Sequence, residues 1–242
     1  MVPTPELIKA PTKQVRMWLR RLRLHRSGVE VDLDVTKLRL GPSGMGAEPM
    51  AIHPDPLNSR SVVYSFGVGR SLCWDNEMIR RFGVTVHAFD PTPGSVEWWA
   101  THQLPEKVHF SPVGIAAHDG TLKVYPPPTK RTVHYSSINR ARAAEEDAIE
   151  VPVKRLATIA AELGHDRIDV LKLDIDGSEY KVLPDVLACG LPINQIILEF
   201  HHNFRGVSFD DTLQAIDSLR AHGYGIFDIS HRALEFGFLK KP

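Results

Sequence analysis

An apolar run, Val62–Phe66, enters a turn holding Gly67 and Gly69, and a second apolar run, Thr85–Phe89, ends in Asp90. A gap of about twenty residues between such a turn and such an acid is the spacing of a nucleotide-binding βαβ unit. Gly67 and Gly69 can bring backbone to a ligand where a Cβ would collide. The helix expected over 71–82 aims its positive end at the same point, and Asp90 at the strand tip can accept both hydroxyls of a ribose. The implied ligand is an adenosine-containing cofactor. Leu72 stands where a GxGxxG fingerprint requires its third glycine, so no pyrophosphate-hugging loop is evident. That favours S-adenosylmethionine over NAD. An NAD-dependent oxidoreductase on the same unit is the alternative, and a non-catalytic adaptor is another.

Beyond Ser61 strand and helix patterns alternate. Helices are expected over 95–102, 156–163, 178–189 and 211–222, and strands over 108–113, 121–125, 170–173 and 195–200. A long proline-bearing and charged segment, 126–147, reads as a loop that can act as a lid. Runs such as VLKLDI and QIILEF are almost continuously apolar, as in strands covered on both faces. The expectation is an α/β domain with a mostly parallel, doubly wound sheet. Its last strands, 225–229 and 234–239, are joined by so few residues that they must pair as an antiparallel carboxyl-terminal hairpin. Residues 1–60 read as a helical and irregular amino-terminal extension with a β-like stretch over 29–40, and residues 61–242 as the main domain.

The 29 basic and 29 acidic residues balance, which removes the case for a nucleic-acid partner held by phosphate attraction. Cys73 and Cys189 are too far apart in sequence for a metal-ligand pair, so a reducing, cytoplasmic setting is expected. No segment has the length of apolar sequence that a membrane span requires. Lys13–Arg26 is a basic amphipathic helix with Val15, Trp18, Leu19 and Leu22 near one face. That face either packs on the main domain or makes peripheral contact with anionic lipid.

Ligands of open α/β sheets bind outside the carboxyl ends of the strands. Those ends carry Gly67 and Gly69, Asp90, Gly114, Asp174 and Asp176, then Glu199, His201 and His202. The blocks around them resemble the FkbM-type S-adenosylmethionine-dependent methyltransferases, in particular their methyltransferase-like branch. The likeness runs through VVYSFGVGRSLCWDNEM (62–78), VHAFDPTP (86–93), PVGIAAHDG (112–120), IDVLKLDIDGSEYKVL (168–183) and QIILEFHH (195–202). It implies a Rossmann-like class I methyltransferase fold and methyl transfer, usually to a hydroxyl oxygen. Position by position it also implies that Tyr64, Ser65, Gly67 and Gly69 wrap the methionine half of the cofactor. Asp90 would bind the ribose beside Pro91 and Thr92, and Gly114 and Ile115 would border the adenine. Many class I enzymes carry an acid where Ser65 stands, so Ser65, Asp75 or Asp174 is expected to hold the cofactor's amino group.

A hydroxyl acceptor must lose its proton at or near attack. His201 is the first candidate base, because an unperturbed imidazole titrates near neutrality; His202 is the second and Asp174 the third. Strand alternation sends His201 and His202 to opposite sides. A divalent cation on Asp174, Asp176, Glu199 and His201 is the competing device. Asp176–Gly177 can be a turn and Glu179 a helix-start acid with a dipole rationale. Trp98 and Trp99 either stack on a ligand or fill core. His134, Tyr135, Ser136 and Ser137 can cover the site, and Lys130 and Arg131 can attract an acidic acceptor. The acceptor itself is expected to be a hydroxyl on a sugar, glycan or secondary metabolite.

Overall fold

The computed structural model describes residues 12–41, 48–127 and 134–242. In chain order the elements are α1 (Lys13–Arg26), β1 (Leu38–Leu40), β2 (Met50–Ile52), β3 (Val62–Phe66), α2 (Cys73–Phe82), β4 (Thr85–Phe89) and α3 (Pro93–Thr101). Then follow β5 (Val108–Ser111), β6 (Gly114–Ile115), β7 (Gly120–Val124), β8 (Ile149–Lys154), α4 (Leu156–Leu163), β9 (Ile168–Leu173) and α5 (Glu179–Ala188). The chain closes with β10 (Ile193–Glu199), α6 (Phe209–Ala221), β11 (Tyr224–Ile229) and β12 (Glu235–Lys240).

Seven strands form the central sheet in the order β5-β4-β3-β9-β10-β12-β11. Only β12 runs opposite to the other six strands. This is the Rossmann-like class I methyltransferase arrangement expected from the alternation of elements. After β3 the chain builds outward through β4 and β5; with β9 it returns to the other flank of β3. The order therefore reverses between β3 and β9, the point where open α/β sheets bind ligands.

Alternation along β3 divides the core. Tyr64 and Phe66 face the side covered by α4, α5 and α6, with Leu156, Ile159, Val182, Ile216 and Leu219. Val63 faces the other side, with Trp74 and Met78 of α2 and with Leu40, Met50, Ala51 and Ile52 of the β1–β2 hairpin. The residues before Ser61 thus supply part of the core that covers the sheet. The buried Gln195 side chain joins them to β10, accepting from the His53 N–H at 2.8 Å and donating to the His53 carbonyl at 2.7 Å.

Two local expectations are corrected. Only Leu38–Leu40 of the 29–40 stretch is strand; upstream, the Asp32 and Leu33 N–H groups both donate to the Ile226 carbonyl instead. The run Ile149–Lys154, which lacks a clear strand signature in sequence, is the middle strand of a second sheet ordered β6-β8-β7. Pro152 obscures it, since proline removes a ladder donor. The two-residue β6 lies opposite Val153 and Lys154 only, so Pro152 has a neighbouring strand on one side alone. No helix among the described residues is long and apolar enough to cross a membrane, and both cysteines are free.

Candidate active site

Where β3 and β9 end, the chain crosses itself at van der Waals limit. Gly67 has a φ of +74°, and a Cβ there would lie 1.7 Å from the Asp174 carbonyl oxygen. The glycine was expected to admit a ligand; the closest neighbour it admits is the backbone after β9. Gly69, at φ +54°, turns the chain toward α2. Its N–H donates to Asp90 Oδ2 at 2.8 Å, and its carbonyl accepts from the Trp99 indole at 2.8 Å. Asp90 Oδ1 accepts from the Thr92 N–H and hydroxyl at 2.9 and 2.6 Å. One buried carboxylate therefore ties the two strand-end loops together while still facing a cleft.

That cleft has Phe66 and Phe89 stacked at its floor with ring centroids 4.4 Å apart. Asp90, Pro91 and Thr92 form one side, and Gly114, Ile115, Val151 and Val153 of the second sheet another. His134, Tyr135 and Ser137 cover it, held down by the Ser136 hydroxyl donating to the Asp176 carbonyl at 2.6 Å. Lys130 and Arg131 lie outside the described residues.

A larger, more polar hollow adjoins the cleft, and Gly67, His134, Asp174 and Asp176 line both. Its wall carries Trp74, Asp75, Lys172, Glu199, His201, Phe204 and Arg232. His201 is buried, and its Nδ1 lies 2.9 Å from Glu179 Oε1. Its Nε2 faces Asp174, Asp176 and Glu199 at 3.9, 4.0 and 4.0 Å. Burial alone would lower the imidazole pKa, but the Glu179 carboxylate, with Glu199 and Asp174, pushes it up to about 10. His201 is therefore an imidazolium at neutral pH, a donor rather than the expected base. Burial and Asp174 push Glu199 up to about 8 against the pull of His201 and Arg232. Burial likewise raises Asp176 to about 6. Asp75, wholly buried in the first turn of α2, is raised by burial and lowered by Lys172 and Ser65. Among the described residues its Oδ1 has no hydrogen-bond partner, and Ser65 is fully buried and lines neither hollow.

Two further expected residues are not in this assembly. Tyr64 shares a face of the sheet with Phe66 but lines neither hollow; its hydroxyl is 2.8 Å from His165 Nδ1 and its ring packs on His87 and Phe89. His202 turns away from both hollows, with Nδ1 3.2 Å from the Thr212 hydroxyl and its ring against Phe209. Burial, then the charge of Arg20, lowers it to about 4. Trp99 stacks on Phe110 and Trp98 on His102, so the tryptophans brace α3 rather than line either hollow.

Glu179, Lys172 and Arg232 were not singled out as site residues from sequence. Glu179 is fully buried, accepting from the Ile175 N–H at 2.9 Å as well as facing His201. Lys172 is buried 4.0 Å from Asp174, and Arg232 lies 3.1 Å from Glu199. A lysine inside the otherwise apolar VLKL run was the available signal, since a buried cation requires a partner. Asp174, Glu199 and His201 each place one ligand atom within 4.8 Å of the others, a spacing able to receive a cation. Lys172, Arg232 and protonated His201 already stand against those carboxylates.

A profile of the family described as "Methyltransferase FkbM domain" matches residues 46–226, which hold every residue of both hollows except Leu40, Gly41 and Arg232. The 31-O-demethyl-FK506 methyltransferase FkbM of Streptomyces tacrolimicus is 27% identical over 206 residues, covering 72% of this chain and 76% of that protein. A chain in the complex of the Haloferax volcanii Trm112 methyltransferase activator overlaps 77% of this chain and 85% of its own length, with a TM-score of 0.41 and 10% identity. The matched profile spans the βαβ turn, the acid after β4 and the LKLDIDGSE block, and the chain belongs to the FkbM methyltransferase family.

Proposed function

We propose that the chain transfers a methyl group from S-adenosylmethionine to a hydroxyl oxygen of a polyhydroxylated acceptor, a sugar, glycan or secondary metabolite. The observation that carries this reading is the single wall, with Asp174 in it, that separates an apolar slot from an acid-lined hollow. The residues suit the cofactor. Asp90 retains acceptor capacity for a ribose diol, and Gly114, Ile115 and Val153 leave a flat apolar gap for a purine. A Cβ on Gly114 would narrow that gap, lying 3.0 Å from Pro91 and 3.2 Å from Val153. The Asp75 oxygen, unpartnered among the described residues and on the wall of the polar hollow, suits the amino-acid end. The bound cofactor supplies a sulfonium-activated methyl group for in-line displacement.

The protein's share is position and proton management. Holding an acceptor hydroxyl in line contributes up to about 7–11 kcal/mol in favourable systems. Asp174 is the base we assign. Asp176 is engaged by Arg140 at 3.5 Å and Glu199 by Arg232 at 3.1 Å, whereas among the described residues nothing cationic approaches the Asp174 carboxylate closer than 3.9 Å. Its oxygens take the hydroxyl proton, and His201 and Lys172 fix the carboxylate from two sides.

Calorimetry with S-adenosylhomocysteine and NADH, followed by labelled methyl transfer to a panel of sugars and hydroxylated metabolites, tests the reading. Heat with S-adenosylhomocysteine and transfer to a hydroxyl are expected. Asp174→Asn should lower kcat by about 10²–10⁴-fold with little change in S-adenosylhomocysteine affinity. Heat with NADH alone would refute the assignment, and cofactor binding without transfer to any acceptor would make the chain an adaptor.

A further inference from the structure

Helix α1 faces the wrong way for a helix that packs by its apolar stripe. Val15, Trp18, Leu19 and Leu22 follow the i, i+3, i+4, i+7 spacing that normally turns inward. Here Leu24 is the buried residue, while Val15, Trp18 and Leu19 are 44%, 60% and 42% exposed. The inner side is held by polar reach instead. Arg20 donates to the Arg232 carbonyl at 3.3 Å, Arg21 donates to the Ser230 carbonyl at 3.0 Å, and Arg23 sits over the Phe209 ring. Lys13, Arg16 and Arg26 remain on the outside, with no carboxylate within 4.0 Å among the described residues. The helix contains no acid at all. Val31, 46% exposed, extends the apolar surface along a shallow hollow shared with Trp18, Leu22 and Val29.

We propose that α1 is a docking surface for an anionic phospholipid bilayer, lying in the interface with Val15, Trp18 and Leu19 in the acyl boundary. Charge complementarity selects this occupant. The chain as a whole is neutral, so these unopposed cations are a local concentration, and anionic lipid attracts such clusters. A nucleic acid would neutralise Lys13, Arg16 and Arg26 but leave the indole and aliphatic side chains in water. A second copy of the helix would oppose like charges. Only a bilayer receives the apolar stripe and the cations at once.

Sedimentation of the full chain with vesicles of phosphatidylcholine, and of phosphatidylcholine mixed with phosphatidylserine, tests this. Partition onto the anionic vesicles should be at least about tenfold the stronger, with a blue shift of tryptophan emission. Trp18→Ser with Leu19→Ser, and separately Arg16→Gln with Arg26→Gln, should each reduce it about tenfold. All four side chains are exposed, and an unchanged melting temperature confirms folding. Equal or absent partition, retention by both variants, or tighter binding of a DNA duplex than of the vesicles overturns the proposal. Neither cofactor nor acceptor enters the assay, so its result is separate from that for methyl transfer.

Discussion

Gly67 and Asp174 meet backbone to backbone, with the space for a Cβ on Gly67 already occupied by the Asp174 carbonyl. The contact joins the two strands at which the sheet order reverses, and both residues line both hollows. Gly67→Ala should destabilise the protein by about 3 kcal/mol, from overpacking together with a left-handed φ, and should weaken S-adenosylhomocysteine binding. Gly114→Ala, which meets side chains at 3.0 and 3.2 Å, should cost about 1 kcal/mol. Urea unfolding of both variants checks the ranking; equal losses would contradict it.

Asp90 carries both a structural and a ligand burden. Asp90→Asn removes the charge that accepts from Gly69 and Thr92. S-adenosylhomocysteine affinity should fall about 10–100-fold, the scale of a hydrogen bond to a charged group. Thr92→Val deletes only the 2.6 Å hydroxyl bond and should reduce affinity by less. Calorimetric titration of both variants distinguishes a ribose contact from a loop tie.

His201 should behave as a cation. With its pKa raised to about 10 by Glu179, its neighbouring acids and against burial, its imidazole resonances should not titrate across neutral pH. In Glu179→Gln they should titrate lower. Because the folded pKa lies above the unfolded one, His201 stabilises the fold fully below about pH 6.5 and loses that contribution as pH rises toward 10. NMR titration of the wild type showing a midpoint near 6.5 would remove the Glu179 role.

His87 works in the opposite direction on the far side of the sheet. Burial, then His165 and His109, lowers it to about 4 from 6.5. Its folded pKa lies below its unfolded value, so the unfolded chain binds the extra proton and stability falls as pH drops from about 6.5 through 4. His87→Phe should flatten that part of the stability curve, as followed by denaturant midpoints at successive pH values. An unchanged slope would assign the acid sensitivity elsewhere.

Activity should survive exhaustive chelation. Asp174 and Glu199 already face Lys172, Arg232 and the His201 imidazolium, and a divalent ion would have to displace this compensation. Loss of turnover with chelator and recovery with magnesium would show that Asp174, Glu199 and His201 hold an ion after all.

Much of the frame was legible because it is local. Apolar runs of strand length, glycine at the β3–α2 turn and an acid after β4 follow from residue type and spacing, and they locate the site at the strand ends. Strand β8 escaped because Pro152 argues against a strand unless its one-sided pairing is known. The role of Glu179 escaped because a helix-start acid has a sufficient local reason, and nothing near it in sequence announces His201, which lies 22 residues away.

From sequence came the strands, their handed alternation and the carboxylates at one rim, since each depends on neighbours a few positions apart. Tertiary structure alone decided that His201 is charged, that Tyr64 lines neither hollow and that the apolar stripe of α1 looks outward. Proton affinity is set by groups that folding brings within about 4 Å. A periodic stripe specifies which residues share a face, but only packing against the rest of the chain decides where that face points.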